Sequence, residues 1–315
     1  MKKIVLGIFG IFLILIGIAG WILPILPGWP FIFLGLSFIA PAFAARLKRR
    51  FLRKFSKQDA VYLDNWKKNR IHAGFSTRHF PLVLHSTEEL SETANQTRFE
   101  KLLAESPALL SQKVSLGPKF AYLNQMHGDK IAVLEDGAAF QKGGFYRFSD
   151  TDGILTDISG LTLLVMTADC LSIFFSAGKN EKQWIGLVHA GWRGTQKNIA
   201  KKAFQAIIER SGCSPSDIHV IFGPRIGKEE YQVGPEFKEY FPEAAQSGKS
   251  PFRSKNNKLY FDLAGENKRQ LIEAGAKSDN IFDLEICTVS ENDDFYSFRK
   301  ENSAAGRMIS FIKKY

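Results

Sequence analysis

Apolar residues are distributed along this chain in three ways. From Ile4 to Ala45 no charged residue occurs, a run of 42 positions. Further on, apolar and β-branched residues come in short blocks at 131–134, 154–158, 161–166, 171–176, 184–188 and 218–222, which predicts strands. At 196–210 the spacing changes. Ile199, Ala203, Phe204, Ile207 and Ile208 form one stripe at helical intervals, with Thr195 as the candidate N-cap. A second helix is predicted around 263–274, with Leu263 and Leu271 on one face. Strand, loop and helix in that order predict a mixed α/β domain over 71–315 whose site lies at loop ends.

The uncharged run is about twice the roughly 20 residues that one membrane-spanning helix needs. Pro24, Pro27 and Gly28 interrupt it, so the expectation is two spans, about 4–23 and 29–45, joined by the PILPG turn. Lys2 and Lys3 flank one end; Arg46, Lys48, Arg49, Arg50, Arg53 and Lys54 flank the other. Basic residues on both flanks place both ends in the cytoplasm. The expected organisation is a transmembrane helical hairpin at 1–45, a basic juxtamembrane linker at 46–70 and a main domain at 71–315. That puts the chain at the inner (cytoplasmic) membrane, with the domain on the cytoplasmic side. A signal peptide competes, since Ala42-Phe43-Ala44 resembles a cleavage site. The run is longer than the roughly 7–15 residues of a usual signal core, and the basic cluster after it opposes export. In the linker, Leu47, Phe51, Leu52 and Phe55 at helical spacing suit an interfacial helix, with a solvated linker as the alternative.

The formal charge of +10 invites a nucleic-acid reading. Residues 1–70 hold 12 Lys/Arg and 2 Asp/Glu; the totals of 42 and 32 leave 30 and 30 for 71–315. The excess therefore lies on the membrane flanks, where anionic headgroups attract it, and no nucleic-acid partner is expected. Three cysteines, an odd number, argue against a disulfide framework and fit a reducing compartment.

Candidate chemistry concentrates where apolar runs end. WIGLVHAGWRG carries His189 into a Gly-rich turn, LTLLVMTADC ends on Asp169 and Cys170, and NQMHGDK carries His127. One cysteine and two histidines on three loops suit either a metal site or a Cys–His catalytic pair. Intervals of 43 and 19 residues exceed those of a zinc knuckle, so the fold must assemble such a site. A Gly-rich turn feeding a helix N-terminus also suits an anion. Arg193 is either a phosphate clamp or a brace for that turn. Asp169 either orients a ligand or caps the strand. Trp192 reads as packing, as do Cys213 and Cys287.

The segments NQMHG, TADC, GLVHAGWRGT, GPRIG with YQVG, YFDL, and CT followed by FYSFRKEN and GRMISFI resemble, in order, the laccase-like or polyphenol oxidase family. Its members are described as multifunctional purine nucleoside enzymes, and its bacterial branch as peptidoglycan-editing factor. The N-terminal run with LPGWP separately resembles small membrane proteins carrying a PGPGW motif. The main resemblance implies an α/β/β/α layered sandwich and a metal site of His127, Cys170 and His189. Borderline-soft zinc accepts imidazole and thiolate and commonly keeps one open position for water. Copper also binds such donors.

The implied activity is a zinc-dependent purine nucleoside phosphorylase acting on adenosine, inosine, guanosine and methylthioadenosine, with adenosine deaminase activity. Its partners are purine nucleosides and phosphate, and the membrane through residues 4–45. Arg78 matches a family arginine near the substrate, although His79, Phe80 and Pro81 follow where the family usually has a glycine pair. Arg193 and Asp169 complete the expected substrate contacts. Phe295, Tyr296, Phe298 and Arg299 resemble a segment lining a nucleoside pocket, with core packing as the alternative. Six scattered histidines do not support a multicopper oxidase. A copper-dependent polyphenol oxidase and a Cys–His hydrolase editing peptidoglycan precursors, with Cys170 as nucleophile, remain the alternatives.

Overall fold

The computed structural model describes residues 60–63, 70–105, 119–140, 144–178, 183–242 and 250–315. All belong to one compact unit, Gln58–Tyr315. The hairpin expected over 4–45 and the juxtamembrane helix lie outside the described residues. Among the described residues no helix is long and apolar enough to cross a membrane. The expected placement at the cytoplasmic membrane is corrected on that finding. Length and lack of charge make a run compatible with a bilayer, but they do not establish a span.

Two six-stranded sheets dominate, beside a small sheet of β11 (Gln232–Val233), β12 (Phe252–Lys255) and β13 (Lys258–Phe261). The first contains β1 (Ala60–Tyr62), β2 (Ile71–Ser76), β3 (Lys119–Leu123), β5 (Gly144–Phe148), β7 (Leu161–Thr167) and β15 (Met308–Lys314), ordered β1-β2-β15-β7-β3-β5. The second contains β4 (Ile131–Leu134), β6 (Gly153–Thr156), β8 (Leu171–Ala177), β9 (Trp184–Ala190), β10 (Ile218–Phe222) and β14 (Ile281–Asp283), ordered β14-β10-β8-β9-β6-β4. Strands β7, β8 and β9 are buried along their whole length, which explains their nearly continuous apolar sequences.

The period-two alternation of a strand distributes these side chains between three cores. Leu161, Leu163 and Val165 of β7 meet Phe174, Ile185 and Leu187 between the sheets. Leu164 and Met166 point the other way and pack with Phe99 of helix α1 (Thr93–Glu105). Ile173, Phe175 and Val188 leave the second sheet toward helices α3 (Ile199–Ser211), α4 (Phe237–Tyr240) and α5 (Leu263–Glu273). The succession is helix, sheet, sheet, helix.

The expected helix at 196–210 is divided. A single turn, α2 (Trp192–Gln196), precedes α3, and Asn198 between them takes a left-handed backbone with φ 61°. Thr195 is therefore not an N-cap. Its N–H donates to the Gly191 carbonyl within α2, and its buried hydroxyl accepts from Asn267 of α5. The stripe of Ile199, Ala203, Phe204 and Ile207 is buried as its spacing requires. At the far end Gly212 (φ 65°) closes α3 by donating to Ile208.

Candidate metal centre and its cavity

Strand register builds the centre. In the antiparallel pair β8–β9, Leu171 faces Ala190. One step outward, Cys170 therefore faces Gly191. In the pair β6–β9, Gly153 faces Val188, so one step outward Asp152 faces His189. Two neighbours of one strand end thus bring a thiol and a carboxylate to the same imidazole.

Asp152 is fully buried, and its carboxylate accepts four hydrogen bonds. Three come from consecutive backbone N–H groups: Met126 (3.1 Å), His127 (2.9 Å) and Gly128 (2.7 Å). The fourth is from Nδ1 of His189 at 2.7 Å. His127 adopts a left-handed backbone (φ 57°), which the Asp152 bonds hold in place. One carboxylate therefore fixes both the loop that carries His127 and the ring of His189, leaving Nε2 of His189 for a ligand. Burial opposes the Asp152 charge, but the hydrogen bond and charge of His189 and the N–H groups of Gly128 and Met126 hold its pKa below the ordinary value of 3.8.

The ligand atoms of His127, Cys170 and His189 all lie within 4.8 Å of one another. The two imidazole rings meet edge to face, with centroids 4.9 Å apart. Burial alone would raise the Cys170 pKa; the adjacent His189 and His127 outweigh it and bring it to about 6. Burial likewise opposes the His189 cation, but Cys170 and Asp152 raise its pKa to about 9. Both shifts run in the direction that favours a thiolate beside an imidazolium.

The glycines of HAGWRG have a steric cause. A Cβ on Gly191 would lie 3.0 Å from the Cys170 sulfur and 3.3 Å from the His127 ring. One on Gly194 would lie 2.7 Å from the carbonyl oxygen of Gly128, on the loop that Asp152 holds.

His127, Cys170 and His189 line a cavity of about 490 Å³. Asp169 and Arg193 also line it, whereas Arg78 is not among the lining residues. The Arg78 guanidinium bonds to the Asn292 carbonyl (2.5 Å) and Glu301 (2.9 Å), and lies 4.9 Å from the Tyr296 ring centroid. The Asp169 carboxylate accepts from the Thr288 hydroxyl (2.6 Å) and the Arg299 N–H (2.5 Å), so it ties the rim together. Arg193 lies over the Trp192 ring at 4.4 Å. The expected aromatic segment divides. Phe298 and Arg299 line the cavity, while Phe295 and Tyr296 are buried between the sheets.

Sequence reasoning assigned no role to Asp152, His85, Tyr231 or Arg307, although the last three line the cavity. For Asp152 the available signal was an acid directly before a buried strand, in TDGIL. Its partner was visible only through the β6–β9 register.

The family model described as multi-copper polyphenol oxidoreductase laccase matches residues 72–314. A relative named purine nucleoside phosphorylase YlmD, from Geobacillus stearothermophilus, is 37% identical over 166 residues, covering 51% of this chain and 59% of its own. The chain thus spans less than two thirds of that relative in sequence alignment. A purine nucleoside phosphorylase from Aquifex aeolicus is 32% identical over 188 residues, covering 60% of this chain and 80% of its own. The crystal structure of YlmD from Geobacillus stearothermophilus superposes with a TM-score of 0.68 at 27% identity, over 82% of this chain and 97% of that one. With His127, Cys170 and His189 gathered at one cavity and a family model matched over most of its length, this chain belongs to the multi-copper polyphenol oxidoreductase laccase family.

Proposed function

We propose that the domain is a zinc-dependent purine nucleoside phosphorylase with adenosine deaminase activity. The observation that carries this reading is the convergence of His127, Cys170 and His189 on a cavity also lined by arginines and aromatic rings. The donor set fits zinc: one thiolate, two imidazoles, and a carboxylate behind one imidazole to set its tautomer. Bound there, zinc supplies a Lewis acid and lowers the pKa of water.

In phosphorolysis the C1′–N9 bond of the nucleoside breaks and a bond from C1′ to a phosphate oxygen forms. In deamination a water oxygen bonds to C6 of adenosine and ammonia leaves. The chain's own residues serve both reactions. Phe298, exposed where it lines the cavity, offers a face for a purine, while Trp192 and Tyr231 carry Arg193 and Arg299 over their rings. Tyr231 stays protonated because burial raises its pKa above that of a free phenol, with Cys170 adding to the effect. Arg193, Arg299 and Arg307 set a positive potential for an anionic co-substrate.

The relatives named purine nucleoside phosphorylase support this reading. It is tested by metal analysis together with turnover of adenosine and phosphate. The expected products are adenine, ribose 1-phosphate and a slower yield of inosine, with about one zinc per chain. Zinc-loaded, folded protein that turns over no purine nucleoside would refute it.

One observation favours a second reading. A Cys170 thiolate beside His189 and His127 is the arrangement of a Cys–His hydrolase. A metal-bound thiolate is not free to attack, so full activity in metal-free protein would select that reading. For a multicopper oxidase, the described residues offer one group of metal-ligating side chains rather than several.

A further inference from the structure

Among the arginines lining the cavity, Arg307 differs in how its guanidinium is used. Arg193 and Arg299 are exposed and lie over the rings of Trp192 and Tyr231. Arg307 is half-buried just before β15. Its Nη1 donates to the carbonyls of Ala305 (2.8 Å) and Gly306 (3.3 Å). Its backbone N–H donates to Leu84 (2.7 Å). Backbone and side chain are therefore both anchored.

All of those side-chain bonds use one nitrogen. Among the described residues, Nε and Nη2 of Arg307 have no hydrogen-bond partner, and neither belongs to the sealed orphan atoms of the interior. Nε and Nη2 form the side edge of the fork, which binds an oxyanion through two parallel bonds. The protein contains a filled example of this arrangement. Arg269 uses the same edge on Glu266, with Nε donating at 2.9 Å and Nη2 at 2.6 Å. Arg269 has its carboxylate, whereas Arg307 offers an unused edge at a cavity.

His85 lies beside Arg307. Its Nδ1 contacts the Ala305 carbonyl that also accepts from Arg307, at 3.3 Å, and it lines the same cavity. With Nδ1 on that carbonyl, Nε2 is the ring atom left for a ligand. The Arg307 charge is felt by the centre: burial lowers its pKa, while Cys170 and Asp169 act in the opposite direction.

We infer that the Nε/Nη2 edge of Arg307, with Nε2 of His85 beside it, is an oxyanion subsite of the cavity, and that its occupant is free inorganic phosphate. The inference rests on the proposed reaction only in naming free phosphate as the occupant. An anchored fork loses little freedom when it binds, and hydrogen phosphate meets both groups: its bare oxygens accept from the fork, and its P–OH donates to Nε2 of His85, the acceptor nitrogen of a ring whose Nδ1 donates to Ala305.

The test is equilibrium dialysis of the metal-loaded full chain against labelled inorganic phosphate. Saturable binding is expected. Arg307→Gln should weaken it by about tenfold or more, the loss of a charged two-bond contact. Arg307→Lys keeps the charge without the edge and should fall between; it carries the test if Arg307→Gln does not fold. His85→Gln should weaken binding less. Arg210→Gln, at an exposed arginine paired with Glu135, should leave it unchanged.

Absence of saturable binding, or Arg307 variants that bind like the parent, would overturn the subsite. Joint occupancy by adenosine and phosphate would support free phosphate. If adenosine excludes phosphate while adenosine 5′-monophosphate binds through Arg307, the free-phosphate assignment is overturned. Dialysis requires no turnover, so the two readings fail separately. Arg307-dependent binding in a protein that cleaves no nucleoside refutes the reaction alone. Nucleoside cleavage with unchanged phosphate affinity in the variants refutes the subsite alone.

Discussion

The cavity has two walls built on different principles. The wall of His127, Cys170 and His189 is held from behind by Asp152, a buried carboxylate with four donors. The wall of Arg193, Arg299 and Arg307 is half-buried or exposed, and its guanidinium groups rest on rings or carbonyls. Donors for a metal must converge within a few tenths of an ångström, which a saturated buried network enforces. Charges that receive a mobile anion must keep unsatisfied hydrogens toward water. Rigidity behind one wall and unused bonding capacity in the other are therefore separate requirements, met by separate residues.

The comparison is broken most severely at Asp152. Asp152→Ala should strip the metal and destabilise the fold by about 3–5 kcal/mol, because it orphans buried donors and an imidazole. Denaturant melts and metal analysis check this; a variant with metal and stability intact would show that the wall does not need its support. The same residue sets a pH dependence. Its pKa is depressed in the fold, so its contribution is present above the ordinary carboxyl range. That contribution is lost as pH falls through the depressed value. A parent that loses more stability than Asp152→Asn on acidification is the expected result.

Cys170→Ser comes next. It should cost most of the bound metal while leaving the melting midpoint closer to the parent's, whereas Cys213→Ser and Cys287→Ser should keep the metal. Metal content per folded chain decides this. In metal-free protein, thiolate absorbance lost in Cys170→Ser should rise around pH 6, since the neighbouring imidazoles favour the ionised sulfur. A rise only in the ordinary thiol range would show that the histidines do not act on it.

Gly194→Ala should have an intermediate effect. Its Cβ meets the Gly128 carbonyl at 2.7 Å, so the 126–128 loop must move and metal affinity should fall several-fold, by about 1–2 kcal/mol. Unchanged affinity would show that the loop yields without moving His127.

Arg78→Ala should have the smallest effect on chemistry. Its guanidinium is spent on Asn292, Glu301 and the Tyr296 ring, away from the lining residues. The expected result is a stability loss of about 1–2 kcal/mol. Michaelis constants for phosphate and adenosine should be little changed. A selective rise in the phosphate constant would restore the substrate role that the resemblance implied for it.

Arg78 and Arg307 show where reading the chain stopped. Arg78 matches a family arginine, and Arg307 lies in the motif GRMISFI. Nothing in the sequence at either position distinguishes a spent guanidinium from one with a free edge. The difference arises from Glu301 and Asn292 in one case and from two carbonyls that occupy a single nitrogen in the other. The uncharged run of 4–45 marks a different limit. Hydropathy describes a composition; a span requires a helix long and apolar enough to cross a membrane, and among the described residues there is none.

The strands were legible along the chain, because the nearly continuous apolar runs of β7, β8 and β9 can only be buried, as all seven positions of each are. The mixed α/β class was legible too, as was the placing of His127, Cys170 and His189 at loop ends, because polar residues that close an apolar run leave the buried strand there. The stripe of α3 was equally plain in its spacing. Only folding brings Asp152 behind His189, since a pairing of residues 37 apart in the chain leaves no local trace. The helix is also broken at Asn198, whose left-handed backbone separates α2 from α3 while Thr195 bonds Asn267 of α5. Which arginines remained free to bind was likewise decided in folding. Local periodicity reports which face of an element is apolar; partner choice depends on distances that only the folded chain creates.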